Sequence, residues 1–416
     1  MPGGRVKPRS GRRRQERSDP AQINVLSVHQ VRRTRLPARG ALRIPGGVAR
    51  GFRKVTEMTS IDADLARAET LPGRFYCDEA LHARSRDRVF ARSWQFLGDV
   101  SQVKVPGQVL PVTLLEGMLD EPLLLTRDAA DRLHCLSNVC THRGMLVCEA
   151  GGVERALRCR YHGRRFGLDG RFVSMPEFEG VEAFPREADH LPALPLERWG
   201  PFLFTSLDPD VPFADVIGPL HERVGFLPLD EASFDAARSR DYLVRANWAL
   251  YCDNYLEGLH IPHIHAALSG ALDYAQYRTE LMAHGNLQLG VAGTAEAAFD
   301  LPRSSPDYGQ RVAAYYYWLF PNLMINVYPW GISVNVVKPL AVDRTRVSFL
   351  SYVWDPSRLD AGAGTGLDRV EREDEAVVEA VQRGVRSRLY SRGRYSVTRE
   401  AGVHQFHRML DARLAG

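Results

Sequence analysis

Cys140-Thr141-His142-Arg143-Gly144 and, fourteen residues later, Cys159-Arg160-Tyr161-His162-Gly163 are the two boxes around which this 416-residue chain is read. Each box offers one soft thiolate and one imidazole, sixteen residues separate His142 from Cys159, and a glycine follows each histidine. One class of 2Fe–2S cluster takes two thiolates on one iron and two imidazoles on the other, which raises its potential above that of an all-cysteine cluster. Glycines let the two loops turn tightly and bring backbone amides near the cluster sulfurs. Cys140, His142, Cys159 and His162 are therefore the candidate cluster ligands. Zinc accepts the same donors, but its sites usually group Cys with Cys and His with His, whereas each box here mixes them.

With these boxes the chain resembles the Rieske proteins. It departs from their usual second box in having Arg160 after the cysteine and Arg164 after the glycine, where Pro and Trp are common. All four ligands remain in place. Around the boxes, from Gln95 to Leu207, lie short apolar runs (Val109–Leu115, Leu123–Thr126, Leu133–Leu136, Phe202–Ser206) broken by Asp, Gly and Pro. That texture predicts a small antiparallel β domain over 94–207 with both boxes at loop tips. Asp169-Gly170 marks a hairpin turn within it.

Upstream, residues 1–57 carry fifteen Arg and Lys against three Asp and Glu, so the overall charge of +4 hides a body of net −8. A basic arm of this kind suits nucleic acid, an anionic membrane or a transit peptide. Its Gly and Pro content and its lack of an amphipathic period favour a disordered leader, with nucleic acid not expected as a partner. Residues 58–93 read as an N-terminal helical segment. No run approaches the ~18 apolar residues of a membrane span. Six cysteines make no disulfide framework in a chain this long, which fits a reducing, cytoplasmic compartment.

Downstream, 208–416 reads as a second, catalytic domain. A helix over 213–225, a strand over 236–246 and a helix from Trp248 precede strands at Arg278–Leu289, Val312–Phe320, Leu323–Tyr328, Ile332–Val337 and Arg346–Val353. Together these predict one large antiparallel sheet, closed by helices over 367–390 and 401–413, with 355–366 a flexible loop. The fold class is α+β.

A second ligand constellation stands at Glu257-x-x-His260-x4-His265. On an unbroken helix, residues five apart lie about 140° apart and share no face. Pro262 argues for a break that lets both imidazoles converge; His263 is the alternative partner to His260. Two imidazoles and one carboxylate form the triad of mononuclear non-haem Fe(II). At 100° per residue from Val370, Asp374 falls near 40° in an apolar stripe containing Val377, Val378 and Val381, while Glu371, Glu375 and Glu379 fall on a wetter side. A buried carboxylate is costly unless paired or bound to metal, so Asp374 is the third candidate ligand and Glu373 the second choice.

The boxes, "DNYLEGLHIPHIH" and the C-terminal "EDEAVVEAVQRG…REAGVHQFH" together resemble the Rieske non-haem iron oxygenases in their terminal-oxygenase or α-subunit form. That resemblance implies a helix-grip catalytic domain, with His260, His265 and Asp374 on the iron. It implies that Glu257 bridges to His162 of a neighbouring subunit in a homotrimer. It also implies O2 and a small organic substrate, with electrons from NAD(P)H through a separate reductase, sometimes by way of a ferredoxin. A chain without a Gly-x-Gly-x-x-Gly fingerprint after a strand fits a separate reductase. The Glu257 motif is similar to the choline-monooxygenase and betaine-type branch, which attacks quaternary ammonium compounds; aromatic ring-hydroxylating dioxygenation is the alternative. A pure Rieske electron carrier would need no second domain, and a ferritin-like di-iron protein would need four long helices. Aromatic residues such as Tyr315–Trp318 suit a cation–π cage, although strand alternation sends half of them to each face.

Overall fold

A computed structural model describes residues 60–265, 273–293, 297–359 and 367–415. The basic stretch 1–57 lies outside the described residues, as does most of the expected loop 355–366.

Between Gln95 and Thr205 the short apolar runs form three antiparallel sheets. The largest has five strands in the order Gly152–Val153, Gln108–Leu114, Glu121–Arg127, Leu133–Ser137 and Ala193–Leu194. A three-stranded sheet (Leu157–Arg158, Arg165–Phe166, Phe172–Ser174) carries the second box in its first turn. Its second turn is the expected Asp169-Gly170 corner, where Gly170 has φ +82°. A further sheet, Gln95–Asp99, Phe202–Thr205 and Leu196–Trp199, puts Phe202, Phe204 and Trp199 into a core shared with the second half of the chain.

The second half is built on a seven-stranded antiparallel sheet. Its order is Ser233–Val244, Arg344–Val353, Gly331–Ala341, Leu323–Tyr328, Val312–Leu319, Gly285–Val291, Arg278–Met282. The first of these strands and the next in sequence therefore lie on opposite edges. The connection between them must cross the sheet, and it carries the helices Trp248–Tyr255 (α3) and Ile261–Ile264 (α4). Before them come α1 (Glu79–Ser85) and α2 (Phe213–Val224); after the sheet come α5 (Leu367–Val385) and α6 (Ala401–Ala415). Helices α3, α5 and α6 cover one sheet face, burying Trp248, Val378 and Phe406 with Trp318 and Met324.

Residues 60–93 pack into this same core, contributing Leu71, Phe75, Tyr76 and Phe90. At about 1.5–3 kcal/mol for each fully buried large side chain, the segment belongs energetically to the catalytic half, with the β domain inserted after it. Two expectations are corrected. The single strand Arg278–Leu289 is a hairpin, because Met282 pairs with Gly285 across a two-residue turn at Ala283-His284. The helix expected over 367–390 ends at Val385, one residue past Gly384, and the chain turns with the Ser387 amide donating to the Gly384 carbonyl.

Candidate metal centres

The two ligand boxes fold alike. The Cys140 amide donates to the Met145 carbonyl and the Gly144 amide to the Cys140 carbonyl; Cys159, Arg164 and Gly163 repeat the pattern at 2.9 and 3.0 Å. Gly144 (φ +74°) and Gly163 (φ +75°) occupy the left-handed region that closes each loop, a conformation costly for residues with a Cβ. Both thiols are buried and His162 is exposed. The Nδ1 atoms of His142 and His162 stand 3.1 Å apart, and the Cys140 and Cys159 side chains are hydrogen-bonded. Burial pushes the Cys140 thiol up, against the opposing His142 amide.

This pairing tests the choice of metal. A tetrahedral zinc ion would hold all four donors within about 4 Å of one another. Among the described residues, a group of three or more donors within 4.8 Å of each other is formed by His260, His265 and Asp374, not by the two boxes. Like sits with like instead, two sulfurs inside and two imidazoles outside, which fits a two-iron cluster.

Buried Arg164, the departure from the usual second box, is held by Asp189 at 2.8 Å. Its guanidinium also lies 5.2 Å from the Phe172 ring and 5.4 Å from that of Phe184. A cation inside an aromatic surround thus fills the place behind the second loop.

The second site is assembled by the crossing connection and α5. Asn247 caps α3, its side chain accepting from the Ala249 amide. The helix stops at Tyr255, earlier than the expected break at Pro262. Gly258 then passes so close to the Tyr277 ring that a Cβ would stand 2.7 Å from it. Pro262 is the second residue of α4, in the first turn, where its missing N–H costs nothing. The result is the anticipated convergence: His265 Nε2 lies 3.1 Å and His260 Nε2 3.6 Å from Asp374 Oδ1. His263 points into solvent.

Each imidazole is oriented from behind. Glu257 Oε1 lies 2.6 Å from His260 Nδ1, and Glu373 Oε2 lies 2.9 Å from His265 Nδ1. Carboxylates on Nδ1 leave both Nε2 atoms free for a metal, the usual support for such ligands. Burial alone would lower the His265 pKa, but Asp374 and Glu373 outweigh it and raise it. The donor set, two neutral nitrogens and a carboxylate beside an open cavity, suits mononuclear iron.

That cavity is floored by the sheet. Gln288, Tyr316 and Asn326 form one row across three adjacent strands, and Tyr251, Tyr255 and Glu371 line the opposite side from α3 and α5. Glu371 corrects the wet-side reading. The buried face of α5 runs through Asp374, Val378, Gln382 and Val385, and Val381 is exposed.

Fold and sites together define an oxygenase with two iron centres. Residues 93–185 match the Rieske [2Fe-2S] domain, and residues 229–416 match the ring hydroxylating alpha subunit catalytic domain. The chain is similar to the chloroplastic choline monooxygenase of Arabidopsis thaliana, 31% identical over 366 residues and 83% of each chain. It is similar to the carnitine monooxygenase oxygenase subunit of Escherichia coli K12, 28% identical over 364 residues, covering 84% of this chain and 94% of that one. The fold is shared with a quaternary ammonium Rieske monooxygenase in complex with L-carnitine, at TM-score 0.68 and 23% identity over 86% and 99% of the two chains. It is shared too with naphthalene 1,2-dioxygenase from Rhodococcus sp., at TM-score 0.66 and 18% identity over 83% and 94%.

The chain belongs to the Rieske non-haem iron oxygenases, as an α subunit. Membership brings a Rieske 2Fe–2S cluster, a mononuclear iron, and O2, an organic substrate and a reductase as reaction partners. Among the described residues no helix is long and apolar enough to cross a membrane.

Proposed function

We propose that this oxygenase hydroxylates or demethylates a quaternary ammonium compound, with NAD(P)H-derived electrons arriving through a separate reductase. The observation that carries the reading is the tyrosine-walled cavity beside the triad. Tyr316 and Tyr328 meet edge to face at 6.0 Å and 81°, forming two perpendicular walls, with Tyr251, Tyr255 and Tyr277 around them. Aromatic faces attract a cation that water would otherwise hold, by about 2 kcal/mol or more once desolvated. Tyr315 and Tyr317 point to the opposite side and pack the core. Relatives named for choline and carnitine support the same substrate class.

In this reading Cys140, His142, Cys159 and His162 hold the cluster, and His260, His265 and Asp374 hold the iron. When bound, these groups supply stored electrons and O2 activation. The remaining work belongs to side chains. Glu257 and Glu373 keep the protons of His260 and His265 at Nδ1, so that Nε2 faces the cavity. The Tyr255 hydroxyl donates to Asn326 at 2.6 Å, and the Tyr277 hydroxyl donates to Gln288 at 3.1 Å. These bonds fix the floor and leave ring faces rather than polar groups toward a substrate.

No residue of the ligand boxes lines the cavity, and the imidazole edge of the cluster loops is open to solvent. We take Glu257 as the bridge to His162 of a neighbouring subunit, in a homotrimer. Oxygen-dependent product formation should be compared for choline, carnitine and betaines against aromatic acids. Turnover of a quaternary ammonium compound is expected; turnover of aromatic acids alone would assign the chain to ring hydroxylation.

A further inference from the structure

We infer that Glu371 is the counter-charge for the substrate's cation, and that the cavity selects a quaternary ammonium alcohol over betaines that carry a carboxylate. This rests on the quaternary ammonium reading above and adds the group that performs the recognition.

Glu371 sits three residues before Asp374 on α5, so both project from one face, and both line the cavity. Three carboxylates of this helix meet a guanidinium: Asp368 with Arg372, Glu373 with Arg369, Glu379 with Arg245. Glu371 instead accepts a single hydrogen bond from the Tyr251 hydroxyl, and among the described residues no Lys or Arg pairs with it. Burial pushes its carboxyl well up. A carboxylate kept inside without a cation is costly. A cation arriving in the cavity removes that cost, and the surrounding tyrosine rings seat its methyl groups.

The same wall excludes an anionic end on the substrate. Recognition of a carboxylate draws on Arg or Lys, and the residues lining the cavity include neither. Glu371, which the iron does not claim, would face a second negative group. An uncharged hydroxyl meets no such opposition.

Calorimetric titration of the iron-loaded protein without oxygen separates binding from turnover. Choline should bind at least tenfold more tightly than its neutral isostere 3,3-dimethylbutan-1-ol, and at least tenfold more tightly than glycine betaine or carnitine. Glu371→Gln keeps the shape and the Tyr251 contact. It should weaken choline at least tenfold, leave the neutral alcohol within twofold, and narrow the gap to the betaines. Choline and the neutral alcohol binding equally to the unaltered protein would overturn the inference without any variant. So would an unchanged choline affinity in Glu371→Gln with iron and cluster intact, or betaines binding more tightly than choline. In those cases cation turnover by the unaltered enzyme would still support the quaternary ammonium reading. If no quaternary ammonium compound binds or turns over, both readings fall together.

Discussion

Oε2 of Glu373 lies 2.9 Å from Nδ1 of His265, whose Nε2 lies 3.1 Å from Asp374. Adjacent carboxylates on one helix thus take opposite sides of one imidazole, Asp374 joining the ligand group and Glu373 steering the ring. Asp374→Ala should abolish mononuclear iron binding. Glu373→Ala should keep the site and lower its iron affinity by about 10–100-fold, as loss of a supporting carboxylate does. Exposed His263→Ala should leave iron unchanged. Iron per chain under chelator competition measures all three, and iron loss in Glu373→Ala with retention in Asp374→Ala would exchange the two roles.

The buried Arg164–Asp189 pair gives a stability prediction. Removing Asp189 leaves the buried Arg164 guanidinium without its ion-pair partner, at a cost of about 3–5 kcal/mol. Asp189→Ala should therefore make the cluster bleach at markedly lower guanidinium concentration, while the exposed Arg143→Ala should behave as the unaltered protein. Equal midpoints for the two variants would mean that Asp189 is not what keeps the Arg164 charge inside its aromatic surround.

The two box loops were legible because each is local: the residues that turn the loop adjoin the Cys and His proposed as ligands. Asp374 was legible because one polar residue in an apolar stripe is conspicuous. Glu371 was not, since a stripe drawn through valines alone points toward Val377 and Val381, whereas the buried face turns toward Gln382 and Val385. The tyrosine-walled cavity lies under part of that face, and helical periodicity cannot distinguish a cavity from solvent. The hairpin at Ala283-His284 was hidden for a related reason. Its turn lacks the Asn-Gly or Asp-Gly signal, and Met282 and Gly285 pair directly across it. The oriented role of Glu373 depends on where His265 lies, a contact spanning 108 residues.

The proposed ring arrangement predicts intersubunit complementation. Glu257→Gln should keep both metal centres and the oligomer but lose most turnover, because the carboxylate 2.6 Å from His260 Nδ1 is altered. Mixed oligomers of Cys140→Ala and His265→Ala, formed under conditions that exchange subunits, should regain part of the activity that neither variant has alone. A heterologous ring pairs one chain's cluster with the next chain's iron. Failure to recover in demonstrated mixed trimers would place both centres of a working pair in one chain.

The most direct test is a single turnover without reductase. The oxygenase is reduced chemically, freed of reductant, and given choline and oxygen while cluster absorbance and product are followed together. The account predicts rapid cluster reoxidation with product in the unaltered enzyme. In His265→Ala a reduced cluster should persist without product, and in Cys140→Ala the Rieske spectrum should be absent. Product formation by His265→Ala at the unaltered rate would contradict the assignment of the His260, His265 and Asp374 site as the place where oxygen meets substrate.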